Sequence, residues 1–485
     1  MHSEKRRLPF EKHIPYHEPL PLNITQLRRK IVTRKSMLYK LVVLVVLLAA
    51  LAGCSQAPAA TKAPAPAKAT EAPAKATEAP AKATEAPKKE EKEPVTLTVW
   101  SWRTEDEQAY NEIFDVYEAA HPGVTVEFVT FVNTDYNNIL ATGLTGEGGP
   151  DIAQLRAYGG LQPLTEAGQL VALDGKVETL ANFTPGLLKG ATGIKDGHVY
   201  GVPFGIQAVA AYYNKGIFDK LGLSEPKTWD EFINVLETLK KEGYIPLAAP
   251  AKDTWMLPII HDAVGAPRYG GPEFEKKVLA GETDFMDPNY IASIQLVKDL
   301  QPYMADDVVG VGYQDSRTLF ITERAAIFIG GSFEVGFWRD QAGDLDLDVF
   351  RVPPAPDSVL DSPLTPGWMD GSYGVNAQSD AQEEAIELVT WMGTPEFGQM
   401  FTEKIKQLSP LADTKPVDPL LQKFAKFYAE TPTSYLHLVN FRYGDPSGST
   451  LLGNGIQKML LGDMTAEEVA KSVQDGVSQW FKPGQ

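Results

Sequence analysis

Beyond residue 94 the sequence predicts an α/β fold in two lobes, on three observations. Short apolar strands alternate with amphipathic helices, the rhythm of βαβ units and of parallel-rich sheets. About 390 residues follow Pro94, more than one hydrophobic core usually serves. All eight tryptophans lie in this stretch, whereas residues 55–94 carry almost no large apolar side chain.

The elements follow in order. Val95-Thr-Leu-Thr-Val-Trp alternates apolar and polar, as a strand does. Residues Glu105 to Ala120 set Tyr110, Ile113, Phe114 and Tyr117 at helical spacing, and His121-Pro122-Gly123 ends that helix. Val124-Thr-Val-Glu-Phe-Val is the next strand. Thr228 with Glu231 three residues on is a capping-box pattern that opens a helix. Asp287-Pro288 opens another, through Leu300, and Ala381 to Met392 is a further amphipathic helix. Asp344, Asp346 and Asp348 alternate with Leu345, Leu347 and Val349, which reads as a strand with one solvated face. The globular part has no internal repeat.

The N-terminal part is of a different kind. One cysteine among 485 residues excludes an internal disulfide. That residue, Cys54, follows a basic stretch (Arg28, Arg29, Lys30, Arg34, Lys35, Lys40) and an uncharged run, Leu41 to Ala52. The run is twelve residues, short of the roughly 20 that a membrane-spanning helix needs, and the whole reads as a secretory signal. Leu51-Ala52-Gly53-Cys54 resembles a bacterial lipobox, which implies cleavage before Cys54 and a diacylglyceryl group on its thiol. Residues 1–36 are long and polar for a leader, and Met37 is a second candidate start. From Lys68 a seven-residue Lys-Ala-Thr-Glu-Ala-Pro-Ala unit repeats, with prolines at 73, 80 and 87 that break any helix. Residues 54–94 therefore read as the lipid-bearing cysteine and a flexible spacer.

The formal net charge is −18. Residues 1–53 hold ten Lys/Arg and three Asp/Glu; without them 35 Lys/Arg stand against 60 Asp/Glu, a net charge of −25. Such a surface repels phosphate backbones and argues against nucleic acid as a partner.

An ordered set of segments carries a family resemblance. It comprises Thr96-Leu-Thr-Val-Trp-Ser-Trp, Phe114 through His121-Pro-Gly-Val-Thr-Val, Gly149-Pro-Asp-Ile and Leu161-Gln-Pro-Leu. Asp196-Gly-His-Val-Tyr-Gly-Val-Pro-Phe, Tyr212-Tyr-Asn-Lys-Gly-Ile-Phe and Pro226-Lys-Thr-Trp-Asp-Glu-Phe come next, then Ala325-Ala-Ile-Phe-Ile-Gly-Gly-Ser-Phe and Ala385 to Trp391. Over residues 95–482 the chain resembles the maltose-binding-like solute-binding proteins (family 1) of ABC importers. The resemblance implies a two-lobed periplasmic-binding-protein-like fold of class II type, each lobe a mixed sheet flanked by helices. Residues 95–205 with 355–408 would form lobe 1, and 206–352 with 411–482 lobe 2. Hinge crossings are expected near Gly205–Gln207, Val352–Ala355 and Leu408–Leu411. The implied function is capture of a sugar, with an oligosaccharide expected, by hinge closure and its delivery to ABC permease subunits. The protein would be a monomer at the outer face of the cell membrane, held there by Cys54.

A sugar presents apolar C–H faces and hydroxyl edges, so its site needs flat aromatic rings and planar polar groups on loops at strand ends. Trp102 and Arg103 follow the first strand, in a loop that lines the cleft in the family; of Trp100 and Trp102, one can be core and the other cleft. Arg156 and Tyr158 end the strand after Pro150-Asp151-Ile152, where the family contacts its ligand, while Asp151 reads as structural. Gln207 stands among apolar neighbours and needs a polar partner, either backbone or ligand. Asp253 and Trp255 fall where the family places second-lobe contacts, although Trp255 can equally be packing. Phe333 and Glu334 follow the apolar strand Ala325–Ile329; many relatives carry Trp at Phe333, and Glu334 can accept hydroxyl donors or pair with Arg339. Trp368, Asp370 and Tyr373 lie between glycines, which let a backbone approach a ligand; Trp368 is the leading candidate. Tyr435 and Arg442 lie in a late aromatic-rich loop. Arg103 and Arg156 keep an anionic ligand open, and polyol, sugar phosphate and uronate are alternative ligands.

Enzyme classes are tested by their motifs. Neither a Gly-x-Ser-x-Gly elbow nor a Gly-x-x-x-x-Gly-Lys-Ser/Thr loop occurs, and the one cysteine is assigned to lipid. His121, His198, His261 and His437 are not spaced to pair on a helix for a metal. Val349 and Ala355 replace the glycine and glutamate that an EF-hand beginning at Asp344 needs. No metal, no cofactor and no catalysis are expected, although sequence leaves a glycosidase carboxylate pair open.

Overall fold

In a computed structural model of the protein the described residues are 94–484, except Glu147 and Asp344. Cys54, the leader and the repeated tract lie outside them. The strands are β1 (Val95–Ser101), β2 (Val124–Thr130), β3 (Ile152–Arg156), β4 (Val202–Asn214), β5 (Ile245–Leu247), β6 (Ala325–Gly331), β7 (Leu347–Phe350), β8 (Thr365–Val375) and β9 (Pro432–Ser434). Their order is β2-β1-β3-β8-β4-β6-β5, with β7 on β4 and β9 on β8.

β1 pairs in parallel with β2 and β3, and the helix Glu107–Ala120 crosses between β1 and β2. β5 with β6 and β9 with β8 are also parallel, but both are short pairings at the margins. β8 runs antiparallel to β3 and β4, and β4 antiparallel to β6 and β7. The expectation of parallel-rich sheets is corrected to a mixed one. The reason is that β4 and β8 are long strands passing between lobes, not members of βαβ units.

β4 shows how. Its first half, Val202–Ala208, pairs with β8, and its second half, Val209–Asn214, with β6 and β7. The register slips at Gly205. Two hydrophobic clusters form on either side of that slip. One gathers Leu97, Phe114, Tyr136, Leu155, Phe204, Tyr373 and Phe401; the other gathers Tyr212, Phe232, Ile260, Phe328, Trp338, Trp368 and Phe424. Each such side chain contributes about 1.5–3 kcal/mol when fully buried, so each cluster holds its own lobe.

The clusters locate the passages. The first falls between Phe204 and Ala208 in β4; near the third, Leu408 packs in the second cluster between Ile405 and Leu411 of the first, and the chain is in the second from Leu420 onward. The second falls between Met369 and Tyr373 in β8, later than the Val352–Ala355 read from sequence. The intervening loop stays on lobe 2: Leu360 N donates to Pro267 O, and Arg351 pairs with Glu430.

Local signals read well. Thr228 and Glu231 form the capping box on Trp229–Lys241, and Asp287 caps Pro288–Asp299. β7 is shorter than the aspartate alternation suggested, since Leu345 and Asp346 precede it; Asp344 lies outside the described residues. Asp346 and Asp348 pair with Lys215 and Lys423.

Candidate functional site between the lobes

Gln207 stands where the three passages meet. Its amide nitrogen donates to Asp370 Oδ2 on β8 (3.1 Å) and to Gln407 Oε1 on the third passage (2.9 Å). Its amide oxygen accepts from Ser332 Oγ (2.7 Å), while Ile206 N donates to Leu408 O (2.8 Å). One fully buried amide thus satisfies itself on all three segments, as a buried polar group must. Gln407 Nε2 continues the chain to Asp106 Oδ2 (3.3 Å), which also accepts from Arg103 Nε.

The lobe 2 side is aromatic. Ring centroids lie 5.0 Å apart for Trp255 and Tyr313, 6.4 Å for Trp255 and Phe333, 6.4 Å for Phe333 and Trp368, and 5.1 Å for Trp368 and Tyr435. Trp255 is 37% exposed and Trp368 7%. Trp255 lies in the helical turn Thr254–Met256, Tyr313 opens the helix Tyr313–Ile321, Trp368 is inside β8, and Phe333 and Tyr435 each precede a short helix.

The lobe 1 side is polar. Arg156 leaves the end of β3 and places its guanidinium 3.9 Å over the Trp102 ring, a cation–π contact. Trp102 is 3% exposed and packs behind on Phe204 and Tyr136. Trp100 packs on Phe131 at 4.8 Å. Both tryptophans are therefore packed, with Trp102 reaching the interlobe side through Arg156.

Two contacts join the lobes here. Arg103 Nη2 donates to Phe333 O (3.4 Å), and Glu105 lies 3.6 Å from Arg103 and 3.9 Å from Arg317. Burial opposes the charge on Glu105, but the two guanidiniums outweigh it and hold the carboxyl below its usual range.

Several residues have structural partners. Glu334 is fully buried against Arg317 (2.6 Å) and accepts from Tyr313 Oη (2.6 Å); Arg339, read as its partner, pairs instead with Asp418. Glu334 and Arg317 both lie in lobe 2, 17 residues apart, whereas Arg339 follows Glu334 on the same helix and turns away. Asp253 accepts from Tyr313 N (2.6 Å). Tyr373 is in the lobe 1 core with its hydroxyl on that of Tyr110, and is not brought to the interlobe side. Tyr158 sits at φ 56° and accepts from Met369 N (3.2 Å).

The glycines near Trp368 serve packing. A Cβ on Gly367 would meet Tyr428 at 2.3 Å, and one on Gly371 would meet Leu155 O at 2.5 Å and Trp102 at 2.8 Å. The expectation that they admit a ligand is corrected: protein atoms fill that space.

The structure thus gathers Trp102, Arg103, Arg156, Gln207, Trp255, Phe333, Trp368, Asp370, Tyr435 and Arg442 around the passages. Sequence reading missed Tyr313, Arg317 and Gln407. Tyr313 and Arg317 share one face of a helix at i, i+4, a signal that was present. Gln407, like Gln207, is a glutamine among apolar neighbours at a crossing. The described residues hold no group of three or more His, Cys, Asp or Glu placed for a metal, and no helix among them is long and apolar enough to cross a membrane.

This arrangement can stack apolar ring faces on one side and donate hydrogen bonds from the other. Comparison with known proteins bears on the chain as a whole. The chain is 25% identical over 412 residues to the multiple sugar-binding protein of Streptococcus mutans, covering 81% of this chain and 91% of that one. It is 29% identical over 311 residues to an uncharacterised ABC-transporter extracellular-binding protein of Pyrococcus horikoshii, covering 62% and 70%. A structure solved in work on xylan utilisation by Caldanaerobius polysaccharolyticus superposes with a TM-score of 0.70 at 24% identity, over 79% of this chain and 99% of that one. The Streptococcus and Pyrococcus relatives are both named as binding proteins. The model of the bacterial extracellular solute-binding protein family matches residues 100–399, more than half of the chain, and the chain belongs to that family.

Proposed function

We propose that this protein captures a sugar, most simply an oligosaccharide, between its two lobes and delivers it to the permease of an ABC importer. The observation that carries the reading is the row of rings from Trp255 through Phe333 and Trp368 to Tyr435, set opposite Arg156 and Arg103. Rings cover the C–H faces of sugars, and guanidinium and amide groups meet their hydroxyls. The name of the Streptococcus relative supports a carbohydrate. Gln207, tied to both other passages, is the pivot. A ligand touching both lobes favours the closed state by the difference in its affinity for closed and open forms.

We assign no catalysis to the site: of the carboxylates around it, Asp106 and Glu334 are held by Arg103 and Arg317, and Asp370 accepts from the Gln207 amide. Cys54 would carry the lipid that holds the carrier beside its importer at the outer membrane face, with residues 55–94 as the tether. Mass spectrometry of the isolated protein checks the anchor, because a mature N-terminus other than lipidated Cys54 would refute it. A calorimetric screen of mono- to tetrasaccharides on the full chain tests the main reading. Micromolar binding of at least one sugar, without turnover of chromogenic glycosides, is expected; turnover, or no binding across the panel, would overturn it.

A further inference from the structure

We propose that the ligand is an acidic sugar, and that Arg156 and Arg442 together hold its carboxylate. This rests on the reading of the interlobe surface as a sugar site.

Arginines elsewhere in the described residues set the comparison. Arg268 bonds the Asn289 amide oxygen and Arg324 is exposed, while Arg103, Arg317, Arg339 and Arg351 each face a carboxylate: Asp106, Glu334, Asp418 and Glu430. Arg156 and Arg442 do not. The hydrogen bonds of Arg156 go to neutral groups, Asn137 Oδ1 (3.3 Å), Asn133 Oδ1 (3.0 Å) and Asn133 O (3.5 Å). The Arg442 guanidinium has neither hydrogen bond nor ion pair among the described residues, although it is only partly exposed. A cation removed from water without an anion is costly, so two together mark a place where an anion is wanted.

The two are brought together by the turn Tyr158–Gly160. A Cβ on Gly159 would sit 1.8 Å from Arg442 O, and one on Gly160 would meet Arg156 Cβ at 2.5 Å. Glycine alone lets the loop bearing Arg442 lie against the end of β3. Burial first, and then the like charge of Arg442, lower the Arg156 guanidinium to about 10; Asp370 opposes this. Asp370 is the carboxylate in reach, and it already accepts from Gln207. Asp370 acts on Arg156 alone of the two, so the pair of guanidiniums leaves room for one more negative charge.

The chemistry selects the class. A planar carboxylate takes two guanidiniums with charge-assisted, fork-like hydrogen bonds. Trp102 under Arg156 and Tyr435 near Arg442 keep rings close to that point, so the anion belongs on a sugar ring. A hexuronate, alone or at one end of a short oligosaccharide, meets both demands. Arg156 comes from the lobe 1 strand and Arg442 from the lobe 2 loop, so the same carboxylate would favour closure.

Calorimetry on the full chain tests this with matched pairs: glucuronate against glucose, galacturonate against galactose, mannuronate against mannose, and their dimers, with glucose 6-phosphate as a further arm. A uronate should bind about 10- to 100-fold more tightly than its neutral partner, the range for hydrogen bonds to charged groups. Arg442→Gln and Arg156→Gln should each erase that preference, whatever either does to the affinity for neutral sugars, and Arg442→Gln should leave the unliganded melting temperature little changed. Equal affinity within the pairs, preference kept in Arg442→Gln, or tighter binding of the phosphate would overturn the inference and leave the sugar-binding reading standing. No binding in any arm would overturn both.

Discussion

On the lobe 2 face, five rings from Tyr313 to Tyr435 run in sequence beside one another; on the lobe 1 face a single ring, Trp102, is already covered by Arg156. Lobe 2 offers apolar platform, and lobe 1 offers donors. A platform contributes affinity through buried area, whereas donors contribute through geometry and charge. The difference suggests an order of events: the ligand settles on lobe 2, and lobe 1 closes over it to read its polar edge. It also predicts that substitutions on the two faces fail differently.

The largest effect should come from behind the platform. Arg317→Met leaves Glu334 buried without its cation and should cost about 3–5 kcal/mol of stability in urea unfolding. Adding Glu334→Leu should recover much of it. A single variant as stable as the parent would show that the pair does not support the lobe 2 face. Trp102→Ala should also cost about 3–5 kcal/mol, because Trp102 packs on Phe204 and Tyr136 in the lobe 1 core. Trp368→Ala removes a member of the lobe 2 cluster and should cost stability as well, but in addition it should weaken binding by about 2 kcal/mol or more, roughly 30-fold, by calorimetry. If Trp102→Ala spared stability while Trp368→Ala spared binding, the roles of the two faces would be reversed.

A smaller, graded effect separates the lobes by pH. His437 lies in the lobe 2 core with Nε2 on Tyr290 Oη (2.5 Å) and Nδ1 without a partner. Burial, followed by repulsion from His261, lowers its pKa from 6.5 to about 3. Between these values the unfolded chain binds the proton and the folded chain does not, so stability falls as pH drops from about 6.5 toward 3. The slope reaches at most about 1.4 kcal/mol per pH unit from this residue. Thermal melts from pH 7 to pH 4 should show that loss, and His437→Phe should flatten it; an unchanged slope would remove His437 as the cause.

Much of this molecule was legible where the signal is local. The β1 alternation, the Thr228–Glu231 box and the Asp287 cap need only a few neighbours, and they stand as read. Gln207 was legible because an amide among Phe204, Ile206 and Val209 has to find partners. What failed was pairing at a distance. Glu334 was read as accepting hydroxyl donors or pairing with Arg339, near it in sequence; the hydroxyl it accepts from is that of Tyr313, and packing brings Arg317 from the same other helix. The glycines beside Trp368 were read as room for a ligand, yet Trp102 and Tyr428 fill that room from segments far along the chain. The second passage was placed at a proline cluster, whereas β8 carries the crossing inside a strand, where composition leaves no mark.

Closure of one lobe on the other is the claim on which the rest depends, and an interlobe distance tests it most directly. Val132 (60% exposed) lies in lobe 1 and Leu461 (59% exposed) in lobe 2. Paired spin labels on Val132→Cys and Leu461→Cys, in a Cys54→Ser background, report their separation by electron–electron double resonance. Addition of a sugar that raises the melting temperature should shorten and narrow the distribution. A distribution unchanged by such a sugar would contradict capture by hinge closure.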